Sequence, residues 1–130
     1  MDVLVPIDGS ECSFRALDFA VQFAGQFDAA LHVVHFSDEA TDATDEILTR
    51  AREVLEEGGV KTDPELATDK QLEFRPSERV GENVLKMVEK NGYDHVIMGH
   101  HESGTIDRAI LGSAAETIVR AEKVPVTIVP

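Results

Sequence analysis

What most constrains this chain is a set of unbroken apolar runs placed between segments of helical period. Val3-Leu4-Val5-Pro6-Ile7 has no polar alternation, which is the habit of a strand buried on both faces of a parallel sheet. Asp8-Gly9-Ser10 breaks that run. Ser10 suits a helix N-cap, and Glu11 puts a negative charge in the first turn. Phe14, Leu17, Val21 and Ala24 then recur at helical spacing, and Ala16, Ala20, Phe23 and Phe27 widen the apolar face. A second strand is expected at Ala30–Phe36, and a helix from about Asp42 to Glu57, stopped by Gly58-Gly59.

Residues 60–69 are polar and hold Pro64, which predicts a loop. Gln71–Arg75 alternates with period two and is expected as an edge strand closed by Pro76. Ser77 or Glu78 opens the next helix, which ends at Asn91-Gly92. A buried strand Asp94–Gly99, a loop over 100–111, a helix from near Ser113 and a last strand Val124–Val129 complete the chain. Strands alternating with helices imply a parallel sheet with helices on both faces, joined by right-handed crossovers. The 130 residues fit one domain, 1–130, and 42% of them are apolar, enough for its core. There is no internal repeat, linker or apolar run near the roughly 20 residues of a membrane span, and Met1–Pro6 reads as the start of a strand rather than as a secretion signal.

On such sheets ligands bind at the carboxyl ends of the strands, near the switch in strand order. Three loops sit there: Asp8-Gly9-Ser10, Phe36-Ser37-Asp38, and Gly99-His100-His101-Glu102-Ser103-Gly104 leading to Gly112-Ser113. Glycine at a strand end lets backbone amides approach a phosphate. A helix opening at Gly112-Ser113 points N–H groups and a positive dipole end outward, and Ser113 adds a hydroxyl. The same residues also fit a plainer account, in which Gly99 ends a strand and Ser113 caps a helix.

Strand Val3–Ile7 with Asp8-Gly9-Ser10, strand two ending in His35-Phe36, and the stretch from Ile97-Met98-Gly99 through Gly112-Ser113-Ala114 to Val129 together resemble the universal stress protein family. The likeness spans nearly the whole chain. Its most specific part is the C-terminal third, where ATP-binding members carry G-x2-G-x9-G-[ST]. Gly99, Gly112 and Ser113 match the first glycine, the last glycine and the hydroxyl residue. The resemblance implies a flavodoxin-like, Rossmann-like three-layer α/β sandwich with a five-stranded parallel sheet in the order 3-2-1-4-5. It also implies a homodimer through the C-terminal strand and a cytoplasmic stress-response role that works through an unknown protein partner. By the same resemblance the nucleotide-binding residues are Pro6, Ile7, Asp8, Phe36, Met98, Gly99, His101, Glu102, Gly104, Gly112, Ser113 and Ala114. In ATP-binding members the carboxylate at Asp8 lies near the adenosine, the backbone at Phe36 meets the base, and the glycine loop with Ser113 holds the phosphates.

The sequence departs from the motif at one point. The second glycine falls on Glu102, and the nearest glycine, Gly104, comes two positions late. A carboxylate about 4 Å from a phosphate charge costs about 1 to 4 kcal/mol, depending on the effective dielectric. Alternatively Glu102 helps hold Mg or Mn bridged to the phosphates, which reverses the sign.

Other chemistries find less support. Three consecutive loop residues, His100-His101-Glu102, have diverging side chains, so a solvated loop fits them better than a metal site. His32 and His35 flank a strand and read as packed or surface residues. Cys12 is the one cysteine; with no base or second thiol nearby it reads as a small buried residue. There is no G-x-S-x-G, no G-x-x-x-x-G-K-[ST] and no G-x-G-x-x-G after the first strand. Arg108 is the only cation in these three loops, so a regulatory binding module is expected rather than an enzyme, with slow ATP hydrolysis or protein–protein interaction alone as the alternatives.

The net charge is −13, from 25 acidic and 12 basic residues. That surface repels nucleic acid and anionic membranes. Its even spread points to a halophilic, high-salt cytoplasm, where screening relieves self-repulsion; an ordinary acidic protein is the alternative.

Overall fold

The computed structural model describes residues 1–68, 79–100 and 111–130. Nine elements follow in strict alternation: β1 (Asp2–Ile7), α1 (Glu11–Phe27), β2 (Ala30–Phe36), α2 (Asp42–Glu57), β3 (Glu65–Ala67), α3 (Val80–Asn91), β4 (His95–Gly99), α4 (Ser113–Ala121) and β5 (Val126–Val129). The five strands form one sheet in the order β3-β2-β1-β4-β5, and every strand pairing is parallel. This is the flavodoxin-like arrangement expected from the sequence.

The unbroken apolar runs are explained by two cores, one on each face. Val3, Val5, Ile7, Leu31, Val33 and Ile97 pack under α1 and α2 with Leu17, Ala20 and Leu55. Leu4, Val34, Phe36, Val96 and Met98 pack under α3 and α4 with Val84, Ala114 and Ile118. Successive side chains of one strand point to opposite faces, so a strand covered on both sides must be apolar throughout.

Three local expectations are corrected, and one falls outside the described residues. The stretch expected as loop holds the edge strand: β3 pairs Glu65, Leu66 and Ala67 with Val34, His35 and Phe36. Three residues after Pro64 are too short for any periodicity, and the ladder offered by β2 decides their conformation. The strand expected at Gln71–Arg75, and the helix start at Ser77 or Glu78, lie outside the described residues; α3 opens at Val80. The last strand begins at Val126 rather than Val124, because Pro125 has no N–H to give the ladder and takes part only through its carbonyl, which accepts from Val96 N–H at 2.9 Å. Finally, Phe27 does not widen the buried face of α1. It is 62% exposed and stacks on Phe23 at 4.7 Å between ring centroids.

Candidate functional site

The carboxyl ends of β1, β2 and β4 lie side by side, with the change in strand order between β1 and β4. At the end of β1, the Asp8 carboxylate accepts the Ser10 N–H at 2.9 Å. This turn fixes the half-buried Asp8 beside the start of α1. Ser10 then caps α1, its hydroxyl accepting the Ser13 N–H at 3.1 Å. Gly9 has φ +87°, and a Cβ there would sit 2.7 Å from Cδ1 of Ile47 on α2. Glycine at position 9 therefore serves both the turn and the close packing of α2. Glu11 on α1 makes a two-pronged ion pair with Arg50 on α2, at 2.8 and 2.9 Å. That bond, and the charge of Arg50, hold the Glu11 carboxyl below its ordinary pKa. Arg50 also lies 4.0 Å from the Phe14 ring centroid. The two helices flanking the Asp8 loop are thus pinned together.

At the end of β2, Ser37 N–H donates to the Ala67 carbonyl at 3.1 Å, carrying the β2–β3 pairing past Phe36. His35 is buried, and its Nδ1 donates to the Ile7 carbonyl at 2.9 Å. A carbonyl only accepts, so Nδ1 carries the proton. This bond ties the last turn of β1, next to Asp8, to the end of β2.

At the end of β4, the chain leaves Gly99 for His100. The Gly112 N–H donates to the His100 carbonyl at 3.0 Å, and Glu116 N–H donates to the Gly112 carbonyl at 2.9 Å. Gly112 is the N-cap of α4 and has no side chain to cap it. The two ends of the glycine motif, thirteen positions apart in number, are thereby brought to one point with the N-terminus of α4. A backbone N–H cluster at a helix start attracts anions. The charge of Glu116 in the first turn also favours the helix dipole.

Of the residues expected to form the site, Pro6, Ile7 and Asp8 end β1, Phe36 ends β2, Met98 and Gly99 end β4, and Gly112, Ser113 and Ala114 open α4. Phe36, Met98 and Ala114 share the core on the α3–α4 side, whereas Ile7 points to the other face. Ser113 is exposed and Gly112 is buried. His101, Glu102, Gly104 and Arg108 lie outside the described residues. Among the described residues no group of three or more His, Cys, Asp or Glu side chains could hold a metal. Among them, too, no helix is long and apolar enough to cross a membrane.

Two contacts at this end of the sheet were not legible in the sequence. One is the His35 bond to Ile7. The other is Cys12, read as a small buried residue, whose sulfur touches the start of the glycine segment at His100, 88 positions on. Contacts at that separation leave no local pattern.

Comparison with known proteins agrees with this architecture. A universal stress protein of Methanocaldococcus jannaschii is 26% identical over 145 aligned positions, covering 98% of this chain and 80% of that protein. The crystal structure of a universal stress protein in complex with cAMP superposes with a TM-score of 0.76 at 25% identity, over all of this chain and 96% of the other. A universal stress protein from Archaeoglobus fulgidus, in complex with dAMP, superposes with a TM-score of 0.74 at 17% identity, over 100% of this chain and 98% of the other. The family model of the universal stress proteins matches residues 1–130. The chain belongs to the universal stress protein family.

Proposed function

We propose that this chain is a stress-response regulatory protein that binds an adenine nucleotide, ATP, weakly at the carboxyl ends of β1, β2 and β4. In this reading it works as a cytoplasmic homodimer of single-domain chains, and not as an enzyme. The observation that carries the nucleotide reading is the closure of the glycine motif: Gly112 N–H on the His100 carbonyl at 3.0 Å sets Gly99, Gly112 and the start of α4 around one point at the carboxyl end of β4. The adenine nucleotides bound by the two related structures, cAMP in one and dAMP in the other, support the same ligand class. The base lies by Asp8 and Phe36, and the phosphates lie by Gly112, Ser113 and Ala114.

The dimer reading rests on β5. It is the last strand of the sheet and pairs with β4 on one side, and all four of its residues are half-buried. Apolar edge strands of this kind pair with another chain.

Glu102 in place of the motif glycine makes the binding weak and favours, as a second reading, a member that acts by protein–protein interaction alone. Calorimetric titration with ATP of the wild type and Glu102→Gly, with and without magnesium, tests both. Removal of an opposing charge raises the affinity about tenfold, worth about 1.4 kcal/mol. If Glu102 instead recruits Mg or Mn, the substitution weakens binding only when the metal is present. Absence of binding by both proteins in both conditions rejects the nucleotide reading.

A further inference from the structure

The thiol of Cys12 is a buried group that the nucleotide site leaves without a role. Cys12 is the second residue of α1 and is 2% exposed. Its sulfur accepts the His100 N–H at 3.1 Å, and its S–H donates to the Val129 carbonyl at 3.3 Å. The same His100 N–H donates to the Val129 carbonyl at 2.7 Å. Thiol, amide and carbonyl therefore close a three-way contact. It joins the start of α1, the exit from β4 and the end of β5.

Gly99 completes this contact from below. A Cβ at position 99 would lie 2.9 Å from Cys12 Sγ, and 3.2 Å from both the Cys12 carbonyl carbon and the Ser13 nitrogen. Gly99 is not among the positive-φ glycines of the described residues, which are Gly9, Gly59 and Gly92. Its lack of a side chain thus serves the close approach of α1 rather than a left-handed turn.

We infer that Cys12 is a positioning residue for the nucleotide site: its thiol sets the path by which the chain leaves β4 and enters the glycine segment. His100 is the lever. Its N–H is held by Cys12 and Val129, and its carbonyl receives the Gly112 N–H at 3.0 Å. A shift at the thiol is passed through the backbone of one residue, His100, to the N-terminus of α4. The inference rests on the nucleotide reading of that site.

Two variants and two readouts test it. Cys12→Ser keeps a donor and an acceptor; Cys12→Ala keeps neither. ATP affinity is measured by calorimetry. Hydrogen exchange of the His100 amide is measured by NMR, relative to the core amides of β1, which report global stability. Cys12→Ala is expected to weaken ATP binding by about three- to tenfold, the range of one lost hydrogen bond. It is also expected to speed His100 exchange beyond that of the β1 amides. Cys12→Ser is expected to stay within about twofold of the wild type in both readouts. A merely structural role would move the His100 and β1 amides together. Unchanged relative protection of His100 in Cys12→Ala overturns the inference, as does unchanged affinity in a wild type that binds. If the wild type binds no ATP, the nucleotide reading fails, and the exchange ratio still decides whether the thiol positions the loop.

Discussion

Gly81 offers a test in which two opposing effects can be compared by size. It is buried in the first turn of α3, against α4. A Cβ at that position would lie 2.7 Å from Thr117 Cβ, 2.9 Å from Thr117 Cγ2 and 3.1 Å from the Ala114 carbonyl oxygen. Thr117 cannot swing aside at no cost, because its hydroxyl donates to the Ser113 carbonyl at 2.9 Å. Alanine in place of glycine gains about 1 kcal/mol of helix propensity at most. Overpacking a fitted contact costs about 1–3 kcal/mol, and one of the opposing atoms here is backbone, so the upper part of that range applies. Gly81→Ala is therefore expected to destabilise by about 1–2 kcal/mol, a fall of about 3–8 °C in Tm for a chain of this length. Gly25, in the exposed interior of α1, is the internal control, since a Cβ there meets nothing within 4 Å. Gly25→Ala feels only the propensity gain and should raise Tm by about 3–4 °C. Thermal melting of the three proteins by circular dichroism, in one buffer, makes the comparison. A Gly81→Ala protein that melts at or above the wild type would refute the close α3–α4 packing, and with it the placement of the α4 N-terminus.

Three further outcomes are expected. With a net charge of −13, Tm should rise steeply between dilute buffer and molar potassium chloride; a flat response contradicts the halophilic reading. Light scattering at high salt should give the mass of a dimer, and a monomeric mass would reject pairing through β5. Burial pushes His95 below its ordinary pKa of 6.5, where its Nε2 lies 2.8 Å from the Thr127 hydroxyl and its ring stacks on Phe23 at 5.4 Å. The folded state therefore holds this proton less tightly than the unfolded chain. The stability is fully present above pH 6.5 and declines as pH falls through and below that value. His95→Gln should flatten the loss of Tm between about pH 7 and pH 5.5, and equal slopes would contradict the assignment. The Glu11–Arg50 pair does not confuse this window. Its lowered carboxyl pKa erodes stability only below the ordinary value of 4.5.

Legibility followed the range of the interaction that decides each element. β1, β2 and β4 stood out because a strand covered on both faces has no freedom to be polar. The start of α1 was legible from Ser10, whose capping bond reaches only to Ser13. The opening of α4 at Gly112-Ser113 was legible from its turn chemistry. β3 was not, because its three residues take their conformation from the edge of β2. Phe27 fits the helical period as well as Leu17 and Ala24 do, yet it is exposed at the end of α1, beyond the partly buried Phe23 that packs on the core. Period alone does not say where an apolar stripe ends. Within the candidate site, Asp8, Gly99 and Gly112 were found by position at strand ends and helix starts. The reason for Gly99 was read differently: the expectation was close approach of a phosphate, whereas the structure sets the first turn of α1 against it. Cys12 and His35 were placed in the fold but given no task, since their bonds to His100 and Ile7 join segments 88 and 28 residues apart.

The central claim is that an adenine nucleotide sits at the carboxyl ends of β1, β2 and β4, and an NMR titration of isotope-labelled protein with ATP tests it most directly. The account predicts saturable shifts concentrated in the amides of Asp8, Gly9, Phe36, Ser37, Gly99, His100, Gly112 and Ser113. Shifts confined to the opposite end of the sheet, around Asp2, His32 and Asp94, or no shifts at any ATP concentration, would contradict it.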